Sequence, residues 1–250
     1  MSFFKNIFSR KPKENFPAIK DYSAIVTDIH SHLIWGIDDG VKSEGECMEM
    51  LNGFINLGYK KVITTPHIMN DHYKNTPEII SSGLQKIKEV IERNNLPITA
   101  DAAAEYYLDE GFEQKLSSGN ILTLNNKYLL FEISYMNPPD NLSRVIFEII
   151  TKGFTPLLAH PERYPFWYPK FDEYHRLKEQ GVLFQLNIGS IAGYYGLAPK
   201  KIAEQMIDEN LVDFIGSDLH GDRHLQALHH ALKEKSLWKL AAKGVKNSTL

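Results

Sequence analysis

The chain has 250 residues, 43% hydrophobic and 24% charged, with a formal net charge of -3 and one cysteine, Cys47. This length supports one sizeable core, and the lack of a basic excess argues against nucleic acid as the main partner. A single cysteine excludes an internal disulfide framework and fits a reducing, cytoplasmic compartment; no apolar run approaches the roughly 20 residues of a membrane span.

Residues 1–20 read as an N-terminal arm ahead of a single unit over 21–250. Phe3, Phe4, Ile7 and Phe8 precede Arg10, Lys11 and Lys13. A signal peptide puts its charge first, so the arm either packs on the domain or makes a weak, peripheral membrane-surface contact. Short apolar, β-branched runs then predict strands at 24–29, 61–65, 98–103, 128–133, 155–159, 182–187 and 212–216, as expected for strands buried on both faces. Between them, helical spacing predicts helices at 43–57, 77–94, 141–152, 172–180, 199–209 and 224–235. Ser43 with Glu46 reads as a capping box, Pro77 and Pro199 as first-turn prolines, and Gly58 and Gly153 as helix stops. Alternating strands and helices imply an α/β fold with a parallel sheet.

The polar residues cluster at the carboxyl ends of these runs. His30 and His32 follow the first strand, His67 the second and Glu105 the third; His160 follows the fifth, Asn187 closes the sixth, and Asp218 and His220 follow the seventh. In a closed α/β barrel, chemistry sits at those ends. An open doubly wound sheet gathers its ligands near one switch point, whereas these come from nearly every strand, so a barrel is favoured. Residues i and i+2 of an extended segment share a face, so His30 and His32 can meet at one point. Imidazoles with carboxylates suit zinc, manganese, iron or nickel better than magnesium or calcium. The set exceeds what one tetrahedral ion needs, which points to two or three ions sharing Glu105 or Asp218. Asp39, in the turn Asp38-Asp39-Gly40, is a further candidate ligand. Arg163 and Arg223 each follow a candidate histidine by three residues, and guanidinium forks match phosphate oxygens. Tyr164, Phe166 and Trp167 beside Arg163 read either as packing or as the wall of an aromatic-substrate cleft. His72, His175, His224, His229 and His230 are given no ligand role, although His72 and His224 lie within reach of a rim.

Several of these strings resemble the PHP (polymerase and histidinol phosphatase) family. They are Asp28-Ile29-His30-Ser31-His32, Thr65-Pro66-His67, Glu105, and Ser217-Asp218-Leu219-His220. Leu158-Ala159-His160-Pro161-Glu162-Arg163-Tyr164, Phe184-Gln185-Leu186-Asn187 and Gly193-Tyr194-Tyr195-Gly196 are similar to the metal-dependent tyrosine phosphatases of bacterial capsular and exopolysaccharide loci. The resemblance spans residues 24–232. It implies a distorted TIM-like (β/α)7 barrel of PHP type with a site for two to three divalent ions, manganese first, iron and zinc also accepting these ligands. It carries the ligand role onto His30, His32, Asp39, His67, Glu105, His160, Asp218 and His220, and the phosphate-holding role onto Arg163 and Arg223. It further implies a phosphotyrosine protein as substrate, in particular the tail of a bacterial tyrosine kinase that controls polysaccharide assembly.

Such a site predicts phosphoester hydrolysis by metal-activated hydroxide, without a covalent enzyme intermediate. The cysteine route is closed, because Met48-Glu49-Met50-Leu51-Asn52-Gly53 follows Cys47 and brings no arginine. His67, His220 or a bound water remain alternatives for protonating the leaving group. A histidinol-phosphate or other small-phosphoester phosphatase is the alternative within the same chemistry. The alternative of another class is a non-catalytic partner-binding module on the same scaffold, which the complete ligand set disfavours. Amidohydrolase barrels often bridge their metals with a carboxylated lysine; Glu105 at that position argues against that branch.

Overall fold

The computed structural model describes residue 16 and residues 19–250. The expected N-terminal arm therefore lies outside the described residues, apart from 16, 19 and 20. In chain order the elements are β1 (Thr27–Asp28), α1 (Glu44–Asn56), β2 (Lys61–Thr64), β3 (His67–Ile68), α2 (Pro77–Arg93), β4 (Thr99–Ala102) and β5 (Glu105–Tyr107). There follow α3 (Phe112–Ser118), β6 (Tyr128–Glu132), α4 (Leu142–Thr151), β7 (Thr155–Ala159), α5 (Asp172–Glu179) and β8 (Leu183–Asn187). The last are α6 (Ile188–Ile191), α7 (Leu197–Asp208), β9 (Phe214–Gly216), α8 (Asp222–Ala231) and α9 (Lys235–Lys243). Every ladder between these strands is parallel, in the orders β1-β2-β4 and β3-β5-β6-β7-β8-β9. This is an α/β fold built on curled parallel sheets.

The second and third predicted strands appear as β2 and β4, and each is followed by a short further segment, β3 and β5, that the prediction did not include. Pro66 lacks an N–H and interrupts the ladder between β2 and β3. The backbone nonetheless stays bonded across the break: Ala103 N donates to Thr64 O at 2.9 Å, and Glu105 N to Pro66 O at 3.1 Å. The first strand is shorter than predicted because residues 22–26 turn. Tyr22 O accepts from Ile25 N and Val26 N, and Val26 sits at φ 70°, outside the extended region. The helix expected over 224–235 is replaced by α8 and α9, and α3 and α6 escaped the periodicity. The cap reading holds with a shift. Ser43 Oγ accepts from Glu46 N, but the Glu46 carboxylate reaches back to Lys42 N rather than to Ser43. Pro77 opens α2, Pro199 lies in the first turn of α7, and Gly58 and Gly153 leave their helices at positive φ.

Between β1 and β9 there is no ladder, only a seam of individual bonds. At one end, Asn247 Nδ2 donates to Thr27 O at 2.9 Å and Ile215 O at 2.7 Å, and its Oδ1 accepts from Ile215 N at 3.0 Å. In the middle, the buried Asp28 carboxylate accepts from Ser217 N and Oγ. At the other end Ser31 bridges Leu219, and His32 N donates to Leu219 O at 2.9 Å.

Alternation along the strands divides the core. Ile29, Ile63, Ala103, Leu130, Leu157 and Phe214, from six different stretches, pack together inside the curl. Their neighbours, such as Val62, Leu129 and Leu158, face the helices. One further step of two along the same face brings Glu105 after Ala103, Glu132 after Leu130, and Asp218 after Phe214 and Gly216. The apolar interior thus ends in a polar layer.

Candidate metal centre

The polar layer gathers the side chains that the sequence scattered over 190 residues. His30 Nε2 lies 3.2 Å from Glu105 Oε2 and 3.5 Å from Asp218 Oδ1. His32 Nε2 lies 3.6 Å from each of the same two oxygens. Glu105 also meets His160 Nε2 at 3.0 Å, through Oε1, and His67 Nδ1 at 3.0 Å, through Oε2. Asp39 Oδ1 closes the far side, 3.5 Å from His67 Nε2 and 3.3 Å from His220 Nε2. The eight ligands expected from the sequence therefore share one site.

Four of the five rings, all but His67, are met at their other nitrogen by an outer partner. His30 Nδ1 donates to Gln185 Oε1 at 2.7 Å, His32 Nδ1 to Asp38 Oδ2 at 2.8 Å, and His220 Nδ1 to Asp218 O at 2.9 Å. The Tyr135 hydroxyl lies 3.4 Å from His160 Nδ1. All four rings thereby turn Nε2 toward the common centre, the arrangement in which outer partners fix the tautomer of a metal-ligating histidine. His160 (φ 37°) and Asp218 (φ 50°) take left-handed backbone angles at the strand ends. Strain of this kind at non-glycine residues clusters at functional sites.

Two atoms test whether a cation fits. His67 Nδ1 and Glu105 Oε2 are buried without a hydrogen-bond partner, although they approach to 3.0 Å. Orphaned buried polar atoms are costly, and a divalent ion satisfies both. Four sets of donor atoms, each set mutually within 4.8 Å, overlap here: His32/Asp39/His67/His220, His30/His32/Glu105, His30/His160/Asp218 and His67/Glu105/Glu132. Shared members suit more than one ion. Charge is arranged accordingly. Burial opposes ionisation of Glu105, but His30 and His67 hold its carboxyl well below the usual range. Burial likewise opposes a charge on His30, and Glu105 and Asp218 overcome it, raising His30 to about 9.

Three contributors escaped the sequence reading. Glu132, at the end of β6, lies 3.2 Å from His67 Nδ1. It stands two residues beyond the interior Leu130, in the same phase as the other candidates, and that phase was the available signal. Asp38 and Gln185 orient His32 and His30; their roles depend on contacts that only the fold creates. The candidate arginines diverge. Arg163 Nη1 donates to Asp218 Oδ2 at 2.9 Å and lines the central cavity of about 540 Å³. Arg223 is exposed on α8 and lines a neighbouring cavity with Tyr194 and Gln226. Of the rim histidines, His224 lines the central cavity, and burial lowers it to about 4. Of the aromatics beside Arg163, Tyr164 and Trp167 are buried as packing; the cavity wall is instead formed by Tyr73, Tyr107, Tyr135 and Tyr195.

The family model for capsular polysaccharide synthesis, CpsB/CapC, matches residues 26–234. The tyrosine-protein phosphatase YwqE of Bacillus subtilis is 29% identical over 194 residues, 77% of this chain and 76% of its own length. The tyrosine-protein phosphatase CpsB of Streptococcus pneumoniae is 27% identical over 199 residues, 77% of this chain and 82% of its own. A solved chain from the crystal structures of YwqE and CpsB, reported as metal-dependent tyrosine phosphatases, superposes with a TM-score of 0.76 at 28% identity. It covers 82% of this chain and 85% of the solved one.

Proposed function

The chain belongs to the CpsB/CapC family of capsular polysaccharide synthesis, and from that premise we propose that it is a metal-dependent protein-tyrosine phosphatase. The observation that carries this reading is the convergence of histidine Nε2 atoms and carboxylates around two orphaned buried donor atoms, with an arginine on the cavity wall. His30, His32, Asp39, His67, Glu105, His160, Asp218 and His220, joined by Glu132, would hold two to three divalent ions, manganese first. When bound, such ions supply an acidified water for attack and positive charge against phosphoryl oxygens.

The chain's own groups do the rest. Arg163 stands where it can hold the developing phosphate charge. Arg223, exposed on α8 and lining the neighbouring cavity, is assigned a second anion contact only on that outer side. His67 and His220 line the cavity, and either of them, when not engaged by an ion, or a bound water is the alternative source of the proton for the leaving phenol oxygen. The tyrosine wall suits an aromatic leaving group. Cys47 takes no part, being fully buried in α1. We read the two sheets and their seam as one distorted seven-stranded PHP-type barrel, with residues 21–250 as a single catalytic unit. The substrate is a phosphotyrosine protein of the cytoplasm, the tail of a bacterial tyrosine kinase being the fitting partner. Among the described residues no helix is long and apolar enough to cross a membrane.

The test is turnover of a phosphotyrosine peptide by protein stripped with chelator and reloaded separately with manganese, iron and zinc. Histidinol phosphate serves as the competing substrate, and the His30→Ala/His32→Ala double variant as control, its metal content counted. Metal-dependent turnover that vanishes in the double variant is the expected result. Preference for histidinol phosphate, or no turnover at full metal loading, would sink the proposal.

A further inference from the structure

The Arg163 guanidinium lies 4.1 Å from the ring centre of Tyr195 and 5.0 Å from that of Tyr135. Its Nη1 donates to Asp218 Oδ2 at 2.9 Å. The same oxygen accepts from Asn187 Nδ2 at 2.7 Å and from the Tyr195 hydroxyl at 3.3 Å. Asp218 is therefore divided: Oδ2 is held by three donors, and Oδ1 faces the His30 and His32 Nε2 atoms. Tyr195 belongs to the string Gly193-Tyr194-Tyr195-Gly196, and its ring is seated where residue 189 has no side chain. A Cβ there would stand 3.2 Å from Tyr195 Cε2.

Stacking on an aromatic ring engages the face of a guanidinium and leaves its in-plane N–H donors free. Arginine has five such donors, and the carboxylate contact of Arg163 runs through Nη1 alone. An unrestrained arginine side chain would sweep the cavity and spend entropy each time it met an anion. Rings that fix its plane remove that cost beforehand.

We propose that Tyr195, with Tyr135 beside it, is a positioning residue that holds the Arg163 guanidinium edge toward the cavity as a preformed phosphate receptor. This rests on the phosphoester reading of the site. It predicts that the ring of Tyr195, rather than its hydroxyl, sets the affinity for phosphate.

The experiment titrates inorganic phosphate calorimetrically into the full chain loaded with manganese, with metal content counted for every variant. Tyr195→Leu is expected to weaken phosphate about ten-fold at unchanged metal content, whereas Tyr195→Phe stays within about two-fold of the unsubstituted protein. Arg163→Lys weakens phosphate by itself, and adding Tyr195→Leu to it produces no further loss. If Tyr195→Leu does not fold, Tyr195→Met, of similar reach and without a ring, carries the same test. Wild-type-like affinity in the ring-less variant, equal losses in the Leu and Phe variants, independent addition with Arg163→Lys, or loss of metal in place of phosphate would each overturn the clamp. Normal phosphate binding without turnover of phosphotyrosine peptide would count against the proposed function and leave the clamp standing.

Discussion

At the scale of single residues, Glu105 is the carboxylate that faces the most rings, meeting His30, His32, His67 and His160. Glu105→Gln keeps the shape and removes the charge these rings face. Metal content should fall by more than one ion per chain and turnover by about a hundred-fold or more, read by elemental analysis beside kinetics. Glu132→Gln should cost a single ion, since among the described residues Glu132 pairs with two of the rings, His67 and His160. Cys47 gives the opposite expectation. Burial raises its thiol from 9.0 to about 12, so at pH 8 roughly one molecule in ten thousand carries a thiolate. The fold favours the neutral thiol, so this stabilising contribution is intact below pH 9 and is lost as the pH climbs through 12. Iodoacetamide at pH 8 should leave native protein unmodified, and Cys47→Ser should retain activity; rapid alkylation of native protein would contradict the burial. The candidate ligands other than Asp39, which was read from its turn, were legible because they follow apolar runs. Glu132 was passed over because its run continues to Ile133, which hid the acid inside the apolar stretch. Gln185 stood in the string Phe184-Gln185-Leu186-Asn187, but its role on a ring 155 positions away had no signal.

At the scale of elements, strand ends deliver the chemistry and tolerate little change in shape. Gly216 closes β9 against the site, where an added Cβ would stand 2.7 Å from His30 Cβ and 2.8 Å from Gln185 Nε2. Gly216→Ala should therefore push His30 off its partner and weaken metal binding about ten-fold or more, measured by competition with a chelating dye. Far from the site, Ser43→Ala removes the cap of α1. It should cost about 1 kcal/mol of stability, seen in the urea midpoint with metal content unchanged. Helices with strong caps and stops were readable from sequence to within a residue or two. The short α3 and α6 were not, since stretches of 7 and 4 residues hold too few turns for a period to emerge. The break at Pro66 between β2 and β3 follows from a missing donor and was open to reading; the turn that shortens the first strand depends on Tyr22 O and was not.

At the scale of the whole molecule, the parallel α/β character followed from alternation, but the seam between β1 and β9 did not. It relies on Asn247, beyond the last residue matched by the family model, 234, in a segment with no apolar pattern to mark it. Asn247→Ala would strand Thr27 O together with both backbone groups of Ile215. Loss of these buried bonds should cost about 3 kcal/mol or more, read as a lower urea midpoint at constant slope. A shift under about 0.5 kcal/mol would mean the seam does not depend on this side chain. The seam also sets an order in time. Residue 247 must meet residue 27 across 220 positions of chain, and contacts that distant form late. Asn247 follows His220, the last of the candidate ligands, by 27 positions, so every one of those side chains is already in the chain before the bond that ties the first strand to the last can form.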